Sequence, residues 1–305
     1  MSANLSLRLT VLVVFTTLVF TLLGWLLPDF LRFIQYPLLG ILLVTIGLPH
    51  GATDYLLFRR MHRSKLTKKQ IFRFFAIYVI AVVGFLFFWL ILPLYSFIIF
   101  IVISAYHFGQ SNWENIVIPK VYSIIINFFW GVFAIGGSVL WHWDESKMVI
   151  SQVIGFLPDL SLTLMANIQL SLVIINILII LFLKYYQKLS SSELLVEIAK
   201  IIILSLMFYF TPMLVGFALY FALWHSLSSL KSQLSFYKKL WPSFTIGDYY
   251  RQAAPYTTLA VFGFFLMVLG HTYILPDVSM ISTFIVFIAC VTLPHIFVVD
   301  ESYQQ

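Results

Sequence analysis

The sequence predicts an all-α polytopic integral membrane protein: a bundle of about ten transmembrane helices, nine in an alternative count, with both termini cytoplasmic. Three observations carry this. Of 305 residues, 61% are hydrophobic and only 10% charged, whereas a soluble domain has about a quarter charged residues. The apolar runs are continuous and close to the roughly 20 residues that cross a bilayer as a helix, not the alternating segments of about 10 residues that build a transmembrane barrel. The cations cluster in the polar segments between runs, as the positive-inside rule requires. High apolarity excludes disorder, and 14 Gly with a single Cys exclude collagen-like and disulfide-rich scaffolds.

Apolar runs place spans near 8–28, 31–57, 73–93, 96–112, 121–141 and 162–183, with two more near 253–275 and 279–299. The first has no small-residue cleavage site and leads straight into further apolar sequence, so it reads as a retained span rather than a signal peptide. The charge-free stretch between Lys200 and Lys231 is either one long helix or two, broken at Thr211-Pro212 with the first beginning near Leu194. Charge decides. With the loop of Arg59, Arg60, Arg63, Lys65, Lys68, Lys69 and Arg73 inside, two helices leave only Arg32 and Lys147 of the 18 cations outside. One helix would move four further cations out. The net charge of +6 therefore reflects cytoplasmic loops, not nucleic-acid binding. Cys290 lies within an apolar run and has no partner cysteine. No linker or low-complexity tract interrupts residues 1–305, which read as one domain.

Ionisable residues within spans are costly and mark function by default. Of seven histidines, His62 falls in the basic loop, and His142 and His271 fall at outer span ends, His142 between Trp141 and Trp143. The other four, His50, His107, His225 and His295, lie on spans two, four, eight and ten, each one to two turns from the cytoplasmic end. Each neutral imidazole in hydrocarbon needs a polar partner. They are either four separately hydrogen-bonded packing residues or ligands of one metal ion, which satisfies all four rings at once. Imidazole suits Zn, Cu, Fe and Ni. Asp54, four residues after His50, is the leading candidate to orient a ring from behind. Gln110 and Ser111 after His107, and Ser228 and Ser229 after His225, occupy equivalent spacings. Pro49 and Pro294 each precede a histidine in Leu-Pro-His, where proline frees a carbonyl one turn earlier.

The motifs Gly47-Leu48-Pro49-His50-Gly51-Ala52-Thr53-Asp54, Tyr106-His107-Phe108-Gly109-Gln110, Trp224-His225-Ser226 and Leu293-Pro294-His295 resemble the Brp/Blh family of bacterial and archaeal membrane β-carotene 15,15'-dioxygenases. The resemblance implies a non-haem Fe(II) enzyme that uses O2 to split the central double bond of β-carotene into two molecules of retinal. It implies His50, His107 and His225 as ligands. The family pattern has a further histidine four residues after His225, where this chain has Ser229. Depth alone makes His295 the natural fourth ligand, with Asp54, Gln110 and Ser229 behind the ligands. The implied partners are a lipid-soluble carotenoid, the bilayer of the inner (cytoplasmic) membrane, and a rhodopsin as retinal acceptor. Some of the 31 Phe, 16 Tyr and 8 Trp could line a tunnel for the polyene, although most serve packing and lipid contact.

Three other classes use intramembrane histidines. A haem-binding electron carrier would place two haems at different depths, whereas these histidines share one. A diiron desaturase needs clusters such as His-x-x-x-His, and no two histidines here are four apart. A proton-coupled transporter would use Asp54 and the histidines as a relay, but beyond Leu-Pro-His the chain shows no convincing inverted repeat.

Overall fold

The structure, a computed structural model, describes residues 3–62, 66–114, 116–274 and 279–303. Among them there is no strand. Among the described residues nine helices are long and apolar enough to cross a membrane: Leu7–Leu26, Pro28–Met61, Lys68–Ile91, Pro93–Trp113, Lys120–Leu140, Leu162–Tyr185, Met213–Lys239, Ile246–Gly270 and Met280–Glu301. The break expected at Thr211-Pro212 is present. Helix α10, Ser191–Phe210, ends where Thr211 turns extended (φ −94°, ψ 146°), because the ring of Pro212 disfavours helical geometry in the residue before it. A new helix begins at Met213. Glu193, Glu197 and Lys200 keep α10 out of the set of nine.

The remaining helices in chain order are α1 (Ala3–Leu26), α2 (Pro28–Leu42), α3 (Leu48–Gly51), α4 (Asp54–Met61), α5 (Lys68–Ile91), α6 (Pro93–Trp113), α7 (Lys120–Leu140), α8 (Trp143–Ile154), α9 (Leu162–Tyr185), α11 (Met213–Leu219), α12 (Leu227–Leu240), α13 (Ile246–Ile274) and α14 (Met280–Tyr303). Two π-helical segments, Leu43–Gly47 and Tyr220–Ser226, join α2 to α3 and α11 to α12. Sequence periodicity did not reveal α8, a short helix with Asp144 and Glu145 in its first turn, where they complement the helix dipole. Nor did it reveal the reach of α4, which takes Arg59 and Arg60 of the basic segment into helix. Arg63 and Lys65 lie outside the described residues.

The chain divides into two compact units. The first comprises Met1–Gly47, Ala105–Ser146 and Asp159–Phe244. Here α7 packs on α9 and α10, α1 on α10, and α11 on α2. Close approach is achieved by omitting side chains. A Cβ on Gly131 would lie 1.7 Å from the Ala105 carbonyl oxygen, and one on Gly109 would lie 1.9 Å from that of Asn127. Helices α6 and α7 thus meet backbone to backbone at Ala105, Gly109, Asn127 and Gly131, and Ala105-x-x-x-Gly109 has the spacing of small residues by which membrane helices associate. Polar side chains stitch α9 to α7: Asn176 Nδ2 donates to the Phe129 carbonyl at 3.1 Å and Gln169 Nε2 to that of Phe133 at 3.4 Å. Trp130, Phe133, Leu204, Met207 and Phe208 fill the centre.

The second unit comprises Leu48–Ser104, Lys147–Pro158 and Thr245–Gln305. Helix α14 packs on α4, α5 and α13, and α13 also packs on α3. Phe85, Trp89, Val153, Ala289 and Cys290 form one buried cluster, and Leu57, Met61 and Val299 another. Helix α5 opens with a capping box, in which Thr67 Oγ1 accepts from the Gln70 amide and Gln70 Oε1 accepts from the Thr67 amide.

Candidate functional site

The four intramembrane histidines fall in two pairs, one in each unit. In the first unit α6 carries His107 and the π segment Tyr220–Ser226 carries His225. Both are buried, with ring centroids 4.9 Å apart at 74°. A π turn is a wide turn that commonly accompanies functional sites, and this one is held at several points. Trp224 Nε1 donates to Thr17 Oγ1 of α1 at 3.0 Å. Gly47, at the end of the other π segment, leaves room for Phe221, whose ring carbon would stand 2.8 Å from a Cβ there. Phe108 and Phe221 lie against the His225 ring at 4.5 and 5.8 Å.

One hydroxyl fixes the protonation pattern of His225. Ser111 Oγ lies 2.9 Å from His225 Nδ1 and also donates to the Phe108 carbonyl at 2.9 Å. A serine has one proton to give. With that proton on the carbonyl, Ser111 accepts from Nδ1–H, and in the neutral ring the lone pair resides on Nε2. Gln110 and Ser229 are buried on α6 and α12, one turn beyond His107 and His225.

In the second unit His50, at the end of α3, faces His295 of α14, with ring centroids 5.1 Å apart at 86°. Asp54 Oδ1 accepts from His295 Nδ1 at 2.7 Å, and its other oxygen accepts from the Tyr78 hydroxyl at 3.0 Å. A carboxylate on Nδ1–H again leaves the lone pair of a neutral ring on Nε2. The sequence spacing paired Asp54 with His50. It reaches His295 instead because α3 ends at Gly51 and α4 starts at Asp54, so no continuous helix places residues 50 and 54 on one face. As the first residue of α4, Asp54 also sits at the positive end of a helix.

The broken turn between α3 and α4 is closed by side chains. Thr53 Oγ1 donates to the His50 carbonyl at 3.0 Å, and the fully buried Tyr249 hydroxyl donates to the Pro49 carbonyl at 3.3 Å. Tyr249 and Tyr78 escaped the sequence reading. Each is one tyrosine among 16, on a helix remote in sequence from the histidine it serves. Of the other histidines, His142 Nε2 donates to the Phe208 carbonyl at 2.9 Å, a packing role. His62 Nδ1 lies 3.0 Å from the Phe58 carbonyl of its own helix.

Buried neutral imidazoles with Nδ1 engaged by a hydroxyl or a carboxylate are in the tautomer that ligates a borderline metal through Nε2. The donor set of this chain fits a borderline divalent metal of the Zn, Cu, Fe or Ni class. His225 and His295 offer nitrogen ligands backed by hydrogen-bond acceptors, and Cys290 lies in the separate Phe85–Trp89 cluster.

Fold and site together define a polytopic, all-helical membrane protein with paired histidines buried in its helices. The profile of the β-carotene 15,15'-dioxygenase family matches residues 41–301, and the chain belongs to that family. A curated relative, a β-carotene 15,15'-dioxygenase from uncultured marine bacterium 66A03, is 36% identical over 73 residues, which is 24% of this chain and 26% of the relative. The chain thus matches about a quarter of that relative's length. No solved structure matches.

Proposed function

We propose that this protein is an iron-dependent β-carotene 15,15'-dioxygenase that cleaves the central double bond of β-carotene with O2 to give two molecules of all-trans-retinal. The observation that carries this reading is the family match over residues 41–301, which includes all four histidine motifs. The reaction is balanced within its two substrates. The central C=C bond and the O–O bond break, two C=O bonds form, and each aldehyde retains one oxygen atom.

His50, His107, His225 and His295 are the residues that would hold the iron, which when bound supplies the redox chemistry that lets O2 react with an alkene. The chain's own contribution is orientation. Ser111 keeps the Nδ1 proton on His225, and Asp54 keeps it on His295. Phe108 and Phe221 cover the His225 ring and keep water from it. The substrate is a hydrocarbon dissolved in the bilayer and enters laterally. The depth at which it stops relative to the metal selects the bond, a matter of positioning. The Lys and Arg excess between spans supports a multi-pass protein of the inner (cytoplasmic) membrane with both ends of the chain inside.

Expression in a β-carotene-producing bacterium tests this. Colour should fade, retinal should appear on chromatography, and purified protein should carry iron. His50→Ala and His107→Ala should each abolish retinal formation while the protein still inserts. Wild-type chain that leaves the carotene intact, or an active preparation without iron, would overturn the reading.

A further inference from the structure

We infer that Tyr78 of α5 is a positioning residue for His295, acting through Asp54; the inference rests on the metal-binding reading above. Three side chains from three helices form one line. The Tyr78 hydroxyl donates to Asp54 Oδ2 at 3.0 Å, and Asp54 Oδ1 accepts from His295 Nδ1 at 2.7 Å. Asp54 and His295 are buried, with side-chain exposures of 4% and 6%. Water therefore does not supply the second bond the carboxylate needs, and the phenol does.

The geometry explains why one bond would be insufficient. A carboxylate held only through Oδ1 turns freely about its Cβ–Cγ bond and carries the imidazole with it. With Oδ2 anchored on α5 and Oδ1 on α14, the carboxylate plane is set from both sides. The His295 ring is then fixed in azimuth as well as in tautomer. Groups that orient a ligand from behind typically change metal affinity 10–100-fold when removed. Tyr78 acts one bond further out, and its loss is expected at the lower end, about tenfold.

The test uses the purified full-length chain and Co(II) as probe, followed by its d–d absorption and by competition with a chelator. Wild-type protein should bind Co(II). Tyr78→Phe should bind it about tenfold more weakly with a shifted band, whereas Tyr55→Phe, a neighbouring phenol lost from α4, should leave both unchanged. In a His295→Ala background, Tyr78→Phe should have no further effect, which a merely structural tie between helices would not produce. An unmoved affinity and spectrum in Tyr78→Phe, or an equal loss with and without His295, would overturn this inference alone. Wild-type protein that takes up no Co(II) would overturn it together with the metal-binding reading.

Discussion

Adding one methyl group at Gly131 tests how tightly the position of His107 depends on the α6–α7 contact. A Cβ at residue 131 would lie 1.7 Å from the Ala105 carbonyl oxygen, and that atom belongs to backbone, so no side chain can swing aside. Restoring a tolerable separation of 3.0–3.4 Å requires the helices to part by about 1.3–1.7 Å at this point. His107 is two residues along α6 from Ala105, so it moves with the helix. Overpacking of this kind costs about 1–3 kcal/mol, and a displacement of about 1 Å at a reacting centre costs about 100-fold in rate. Gly131→Ala should therefore insert in membranes, melt earlier and make retinal at about one hundredth of the wild-type rate. Gly109→Ala, with 1.9 Å to the Asn127 carbonyl, should do the same. Gly84→Ala, where a Cβ meets nothing within 4 Å, is the control and should be silent. Retinal chromatography from carotene-loaded membranes and thermal unfolding of the purified chain supply both readouts. Wild-type activity and melting in both Gly131→Ala and Gly109→Ala would show that the backbone contact does not fix the position of His107.

Ser111→Ala removes the acceptor on His225 Nδ1 and should weaken metal binding by about 10–100-fold, as measured against a competing chelator; unchanged affinity would dismiss the tautomer argument. Tyr249→Phe strips the Pro49 carbonyl of its phenol donor and should cost about 1–3 kcal/mol, visible as a lower melting temperature. Asn176→Leu breaks the α9–α7 link and should cost between about 0.6 and 1.7 kcal/mol, the measured scale for hydrogen bonds between membrane helices. A melting curve equal to wild type would show that this bond contributes nothing.

The features legible in the sequence were those governed by single-chain physics. Apolar run length gave the spans, the proline after Thr211 gave the break before α11, and the cost of a bare imidazole in hydrocarbon singled out His50, His107, His225 and His295. What escaped depends on contacts between helices. The spacing rule for one helix selected Asp54 and Ser111 but gave each the wrong ring: Asp54 serves His295 rather than His50, and Ser111 serves His225 rather than His107. The rule assumes an unbroken helix with all its partners on board. The turn at residues 52–53 violates the first assumption, and the histidine pairings violate the second. Gly109 and Gly131 were invisible for a related reason, since a glycine reveals its purpose only when the backbone it admits is known.

The segment Tyr220–Ser226 has a consequence for how this chain can vary. A turn closed five residues back holds one residue more than its α-helical counterpart, and a residue corresponds to about 100° of rotation. The two halves of that rod are thereby clocked separately. Deleting a single residue between Tyr220 and Trp224 would restore an ordinary α-helical turn, and the wide turn that carries His225 would be lost. Regularity here would be a defect.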